Sequence, residues 1–243
     1  MEHLEQELER LIAALPNANA FRTSLETLVS VYPFNEYEYI IATLLAAAKL
    51  THDEYVELRD AYIARNMFLY IFEISAPRGF GEAWAQGHLK ELVPELQKPS
   101  KHLDPSYSGE YDFLLDGKIK IEVKASRAVD FDRDEPLYVK ALASDSTKRF
   151  DMNFQQLKPS CCDVFVWIAV WRNDIYHWVL TSHEVATNRN FSNQHRKEIK
   201  GLEVYEGQIH VKHDNIHDFS TYEAKSNELA AAIRNAYERQ KQK

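Results

Sequence analysis

Cysteine is nearly absent from the 243-residue chain. The only two, Cys161 and Cys162, are neighbours, and neither has a CxxC partner, so a disulfide framework and a cysteine zinc site are both excluded as organising features. Reduced cysteine chemistry places the expected location in the cytoplasm. Apolar runs of roughly 18 residues, the length a membrane helix needs, are lacking. The acidic start, Met1 to Arg10, has neither the basic head nor the apolar centre of a secretory signal. Seven glycines and eight prolines leave no collagen-like or low-complexity tract. There is no P-loop and no nucleophile elbow, so ATP-driven cleavage and Ser-His-Asp hydrolysis find no support. Excess positive charge is missing too: the net charge is −8, which argues against a passive nucleic-acid coat protein.

What is present is the composition of a soluble globular protein, 45% hydrophobic and 27% charged. The negative charge is unevenly placed. Residues 1–110 hold 17 acidic and 9 basic side chains, whereas residues 111–243 hold 20 of each. The acidic half reads as solvated helical surface.

Helices come first. Helical spacing predicts segments over 3–14, 23–31 and 37–50. Thr51-His-Asp-Glu54 has the form of a capping box, opening a helix that the apolar spacing extends to about Ile74. Pro77 and Gly79 break it, and a further helix is expected over Gly81 to Leu92. Residues 98–109 read as a connector.

From Glu110 the period changes to two. Glu110–Leu115 and Ile119–Ala125 form a hairpin signal around Asp116-Gly117-Lys118. Cys162–Trp171 is an almost continuous apolar run suited to a strand buried on both faces. Ile175–Thr181 and Gln208–Lys212 are further strands, and Ser226–Lys241 is a closing helix. The expected class is α/β (α+β): a mixed central sheet flanked by helices. Residues 1–75 are expected to form a helical region, and 76–243 the core domain.

The hairpin concentrates the chemistry. A two-residue loop would mix apolar and charged residues on both faces. A three-residue loop, Asp116–Lys118, sets Phe113 against Ile121, Tyr111 against Val123 and Asp112 against Glu122, and sorts the faces into apolar and charged. In that register the α-carbons of Asp112 and Glu122 lie about 4.5–5.5 Å apart, with Lys124 on the same face. Two converging carboxylates make a hard oxygen site for Mg²⁺. A neighbouring ammonium can orient water and stabilise charge building on a phosphate. The plainer alternative is a surface hairpin with cross-strand salt bridges such as Glu110 with Lys124. It leaves Asp112 and Glu122 as a like-charge pair that needs a cation between them.

Tyr111-Asp112, nine intervening residues and then Glu122-Val123-Lys124 resemble the PD-(D/E)xK nuclease core. The runs Ser108-Gly-Glu-Tyr-Asp-Phe and Ile121-Glu-Val-Lys-Ala-Ser-Arg, with the later Phe154-Gln-Gln-Leu-Lys-Pro, are similar to type II restriction endonucleases. The similarity covers about residues 78–185, and Tyr111 stands where the family usually has proline. The resemblance implies a restriction-endonuclease-like fold and a Mg²⁺-dependent enzyme, with Mn²⁺ able to substitute. Such an enzyme cuts double-stranded DNA at a specific site, as a homodimer paired functionally with a DNA methyltransferase. A repair or junction-resolving nuclease with the same core is the alternative within that chemistry; a non-catalytic DNA-binding protein is the alternative outside it.

The resemblance implies that Asp112 and Glu122 hold the metal and that Lys124 is catalytic. It also places Glu82 near the metal from the preceding helix, although an exposed helix carboxylate is the simpler reading. Gln155, Gln156 and Lys158 would line the site from a helix, and Ser126 and Arg127 would touch the cut strand. The segment 188–200 is rich in side chains that read base edges and phosphates, and is the candidate recognition loop through Asn193, Gln194, His195, Arg196 and Lys197. Residues 1–75 are expected to supply a dimer surface or an arm around DNA.

Overall fold

The computed structural model describes residues 2–26, 33–199 and 202–242. The side chains of residues 2–5, 26, 33–35, 194–199 and 202–205 lie outside that description. The chain forms two compact units, Met1–Asn66 and Met67–Lys243. The boundary falls before the expected one at residue 75, because the predicted long helix stops early. Helix α4 covers His52–Arg65, and Asn66 caps it. The following residues, Met-Phe-Leu-Tyr-Ile-Phe, have no helical period. A short 3₁₀ turn, Leu69–Glu73, instead buries Leu69, Ile71 and Phe72 in the core of the second unit.

The first unit is helical: α1 (Glu2–Ala13), α2 (Ala18–Glu26), α3 (Pro33–Ala46) and α4. The part of the predicted 23–31 helix beyond Glu26 lies outside the described residues. The expected capping box is formed at α4: Thr51 Oγ1 accepts from Glu54 N at 3.2 Å, and Glu54 Oε2 accepts from Thr51 N at 2.7 Å. Such a cap stabilises a helix by about 1 kcal/mol. Leu8, Ile12, Phe21, Ile41 and Leu44 fill this unit's core, with Tyr37 and Tyr62 stacked at 4.0 Å.

The second unit is mixed α+β. Its strands are β1 (Phe113–Leu115), β2 (Ile119–Arg127), β3 (Asp151–Leu157), β4 (Val164–Val170), β5 (Ile175–Thr181), β6 (Phe191–Ile199), β7 (Leu202–Lys212) and β8 (Glu223–Ala224). The central sheet runs β1-β2-β4-β5-β8, with β2 and β4 parallel and its other pairs antiparallel. A second sheet runs β3-β7-β6.

Two cores flank the central sheet. On one face Val123, Val166 and Ile168 pack against Phe72, Leu89 and Ile233, the last two from helices α5 (Gln86–Leu92) and α6 (Leu229–Lys241). On the other face Phe165, Trp167 and Trp178 pack against Phe154 and Ile209 of the second sheet. Every residue of β4 is therefore buried, as its uninterrupted apolar run requires.

The hairpin adopts the three-residue loop, with Phe113 opposite Ile121 and Leu115 opposite Ile119. Asp116 and Gly117 both have positive φ, 54° and 66°, and Lys118 N donates to Leu115 O at 3.2 Å. These are the marks of a type I′ turn, which matches the twist of the flanking strands. The strand is shorter than expected, however, and Tyr111 does not face Val123. Tyr111 packs into the core on the opposite face, where its hydroxyl donates to Asp104 at 2.8 Å. The polar hydroxyl finds a carboxylate there that the aliphatic face lacks.

A π-helical stretch, Gly79–Ala85, leads into α5. Its wide turn aligns Phe80, Trp84 and His88 in a column, with centroids 5.5 and 5.3 Å apart. The column ends on His177 of β5. The His88 and His177 rings are near-coplanar, 11° apart, with centroids 5.3 Å apart and Nε2 atoms 3.0 Å apart. The centroid separation exceeds the nitrogen separation by about two ring radii, so the rings meet end to end. One Nε2–H donates to the other Nε2, and the two imidazoles hold opposite tautomers.

Candidate active site

Strand β2 supplies the centre of the site. Glu122 and Lys124 alternate with buried Ile121 and Val123, so both project from the sheet face opposite the helices. The Lys124 ammonium lies 2.8 Å from Glu122 Oε1, and both side chains are largely covered, 19% and 14% exposed. The predicted Glu110–Lys124 bridge is not the one formed: Glu110 is exposed, and Lys124 pairs with Glu122. The adjacent Lys120 is engaged by Asp104 at 2.8 Å.

Asp112 joins this pair through an irregularity at the end of the β1–β2 ladder. Its amide donates to Ile121 O at 2.9 Å, so the residue leaves strand geometry. Its carboxylate folds over β2, and Oδ2 accepts from Val123 N at 2.8 Å. Oδ1 accepts from Gln86 Nε2 at 2.6 Å. On the far side of that amide, Lys98 donates to Gln86 Oε1. The lysine fixes which end of the amide faces Asp112, because an ammonium cannot accept a hydrogen bond. Lys98 itself rests 4.2 Å above the Phe113 ring.

Burial pushes the Asp112 carboxyl above its ordinary range, against the hydrogen bond from Val123 and the charges of Lys124 and Lys98. Glu122 is pushed up to about 7, first by burial; the Lys124 charge opposes the rise and the Asp112 charge adds to it. Two carboxylates here cannot both ionise freely at neutral pH beside a single touching ammonium. This is the electrostatic setting that a divalent cation relieves.

The donor set fits Mg²⁺ on those grounds. Mg²⁺ is commonly held by one or two carboxylates, with water and substrate phosphate completing its shell. Asp112 and Glu122 are two such ligands, close enough to share a hydrogen bond with each other, and a carboxylate oxygen can accept more than one such contact. Among the described residues, no group of three or more His, Cys, Asp or Glu side chains converges as a metal cage.

The remaining predicted residues are placed differently. Glu82 lies one turn before Gln86 but is exposed, and it faces Arg78 at 3.9 Å. Gln86, four residues later, is the helix side chain that reaches Asp112. Arg127 is not directed outward: it donates to Ile71 O at 3.1 Å and Ile74 O at 2.8 Å, and its guanidinium lies 4.1 Å over Phe80. Burial lowers its pKa to about 10. Ser126 shares the face of Glu122 and Lys124 and is half-buried.

Gln155, Gln156 and Lys158 do not lie on a helix. Gln155 and Gln156 are exposed on β3, and the ladder with β7 shifts register between Phe154 and Leu157. Gln156 has φ 54°, the mark of a bulge. Alternating Met152, Phe154 and Leu157 side chains need burial, and that need selects strand over helix. Lys158 forms a 3.0 Å ion pair with the buried Glu206.

The 188–200 segment is not a loop. After a turn at Asn188–Asn190 it becomes β6, the edge of the second sheet. Asn193 is exposed and lies opposite Gly207. Gln194, His195, Arg196 and Lys197 belong to this strand by backbone, with a register shift between Asn193 and His195, but their side chains lie outside the described set. Lys200 lies outside the described residues altogether.

Gln86 and Lys98 were missed in the sequence because each is a single polar residue on a helix or connector. The faint signal was Gln86 itself, one helical turn beyond Glu82 on the same face. No protein-family model matches the chain, and a search of curated proteins finds no match.

Proposed function

We propose that the second unit is a Mg²⁺-dependent endodeoxyribonuclease of the PD-(D/E)xK type, acting as a type II restriction endonuclease on double-stranded DNA. The observation that carries the reading is the cluster Asp112, Glu122 and Lys124. Two largely buried carboxylates stand beside one ammonium, and the acidity of both carboxyls is pushed toward protonation. A purely structural ion pair needs only one of the two acids.

In this reading Asp112 and Glu122 hold the metal, which supplies charge to a phosphoryl oxygen and acidifies a water when bound. Lys124 holds the attacking water by donating a hydrogen bond and faces the charge that grows on the phosphate. Gln86 keeps Asp112 in place. The water gives up a proton to solvent as its oxygen bonds to phosphorus, the bond from phosphorus to the 3′ oxygen breaks, and that oxygen takes a proton from solvent, which leaves a 5′-phosphate and a 3′-hydroxyl. Site-specific double-strand cutting, a homodimer and a partner methyltransferase follow from the resemblance of the Tyr111–Asp112 and Glu122–Lys124 segments to restriction enzymes. Two-fold symmetric DNA requires two matched sites. Mn²⁺ is expected to substitute for Mg²⁺, and the setting is the cytoplasm. Among the described residues no helix is long and apolar enough to cross a membrane.

The test is incubation of the purified chain with unmethylated phage DNA and Mg²⁺ beside Lys124→Ala. Discrete fragments from the native protein and none from the variant are expected. A smear lost in the variant would support a repair-type nuclease instead. Absence of any cleavage would leave a binding protein.

A further inference from the structure

A cavity of about 250 Å³ opens in the second unit, apart from Asp112, Glu122 and Lys124. Phe150, Trp171, Tyr176 and Trp178 form its aromatic side. Its polar side includes His213, His217, Ser220 and Glu223, all four exposed. Phe150, Trp171 and Trp178 are themselves core, 7%, 2% and 1% exposed, so they back the wall rigidly and leave Tyr176 as its accessible ring. Tyr176 is half-exposed and packs on Trp171 at 4.6 Å. Glu223 is placed by its pairing with Trp178 across β8 and β5.

These features select a ligand. The volume lies below the roughly 300–1,000 Å³ typical of sites for drug-sized molecules, so the cavity accepts one small ring system. The accessible Tyr176 ring suits a flat π-surface, and hydroxyl, imidazole and carboxylate groups on the other side suit a ring with polar edges. The Glu223 carboxylate is an acceptor and favours a ring bearing an amino group over one that presents a carbonyl oxygen at the same edge.

We propose that this cavity binds a nucleobase carrying an exocyclic amine. The base has two possible sources with one chemistry: a free nucleoside, or a base turned out of a DNA duplex. The second source rests on the DNA-cutting reading given above; the first does not.

The test uses the full chain in EDTA, so that no cleavage intervenes. Trp171 and Trp178 line the cavity, and intrinsic tryptophan fluorescence therefore reports its filling. Deoxycytidine and deoxyadenosine are expected to quench saturably, with thymidine about tenfold weaker, the cost of roughly one mismatched hydrogen bond. Glu223→Gln, at an exposed position, should abolish that preference, since an amide can donate to a carbonyl as well as accept. Tyr176→Ala should weaken all nucleosides.

The duplex arm uses 2-aminopurine, whose emission rises when it leaves the base stack. A rise on adding protein, reduced by Glu223→Gln, assigns the cavity to an extruded base. Nucleoside quenching without that rise assigns it to free nucleosides. Quenching by neither probe, or quenching unchanged in Glu223→Gln and Tyr176→Ala variants that melt normally, overturns the proposal. Asp112→Asn separates the two readings: it should abolish cleavage and leave nucleoside quenching intact.

Discussion

Gln86 Nε2 and Asp112 Oδ1 meet at 2.6 Å, joining the first turn of α5 to a carboxylate at the end of the sheet ladder. Lys98 holds the other end of the same amide. Asp112 is thereby oriented by a group that is not itself acidic. Gln86→Ala should leave the fold intact and weaken Mg²⁺ binding or DNA cleavage by about 10–100-fold, as expected when a partner that orients a metal ligand is lost. Calorimetric Mg²⁺ titration beside circular dichroism checks it; unchanged affinity and activity would remove Gln86 from the site.

Lys124 and Glu122 form the second fixed pair, at 2.8 Å. Lys124→Ala is expected to lower cleavage by at least about 100-fold, the scale of losing one preorganised donor to transition-state charge. Mg²⁺ binding should survive, because both carboxylates remain. Single-turnover cleavage with a parallel Mg²⁺ titration separates the two effects, and joint loss of both would mean that Lys124 only supports the fold.

The His88–His177 pair predicts an acid limit to stability. Burial lowers both groups from 6.5, His177 to about 4 with a further contribution from His88, so the folded state prefers them neutral. Stability from this pair is complete above pH 6.5 and is lost as pH falls toward 4, where the unfolded chain binds the extra protons. The melting temperature of the native protein should fall over that window more steeply than that of His177→Phe. Parallel slopes for the two proteins would show that the pair contributes nothing.

Arg127 was expected at the DNA and is found beneath the sheet, bonded to two backbone carbonyls. Arg127→Met should cost about 1–3 kcal/mol by leaving Ile71 and Ile74 oxygens without that donor. DNA affinity measured below the melting transition should be unchanged. Normal stability with weakened DNA binding would restore the original expectation.

Much of this arrangement could be read in advance wherever the information was local. The Thr51–Glu54 cap, the apolar run of β4 and the hairpin register each depend on residues close together in sequence. The register was legible because a slip of one residue would have moved Phe113 and Ile121 to the wrong face. That register set Glu122 and Lys124 on one face, but the ladder ends at Phe113, and Asp112 reaches them by leaving it and not as the cross-strand partner of Glu122. Reading the helix to Ile74 failed because burial of successive apolar residues overrode helical spacing. The Gln155–Lys158 helix failed because β3 pairs with β7 far along the chain, and the 188–200 loop failed because β6 pairs with β7 in a hairpin that its polar residues, without apolar alternation, do not announce.

The sequence by itself determined the class of the fold, the turn that pairs β1 with β2, and the acids and the lysine that share one site. These follow from periodicity and from side chains a few residues apart. Only the tertiary structure decided which helix side chain reaches Asp112, why Arg127 turns inward, and how Phe150, Trp171 and Glu223 come to line one cavity. Those outcomes depend on burial and hydrogen bonding between distant segments. Each polar group takes the partner that packing brings within reach, and no spacing along the chain encodes that choice.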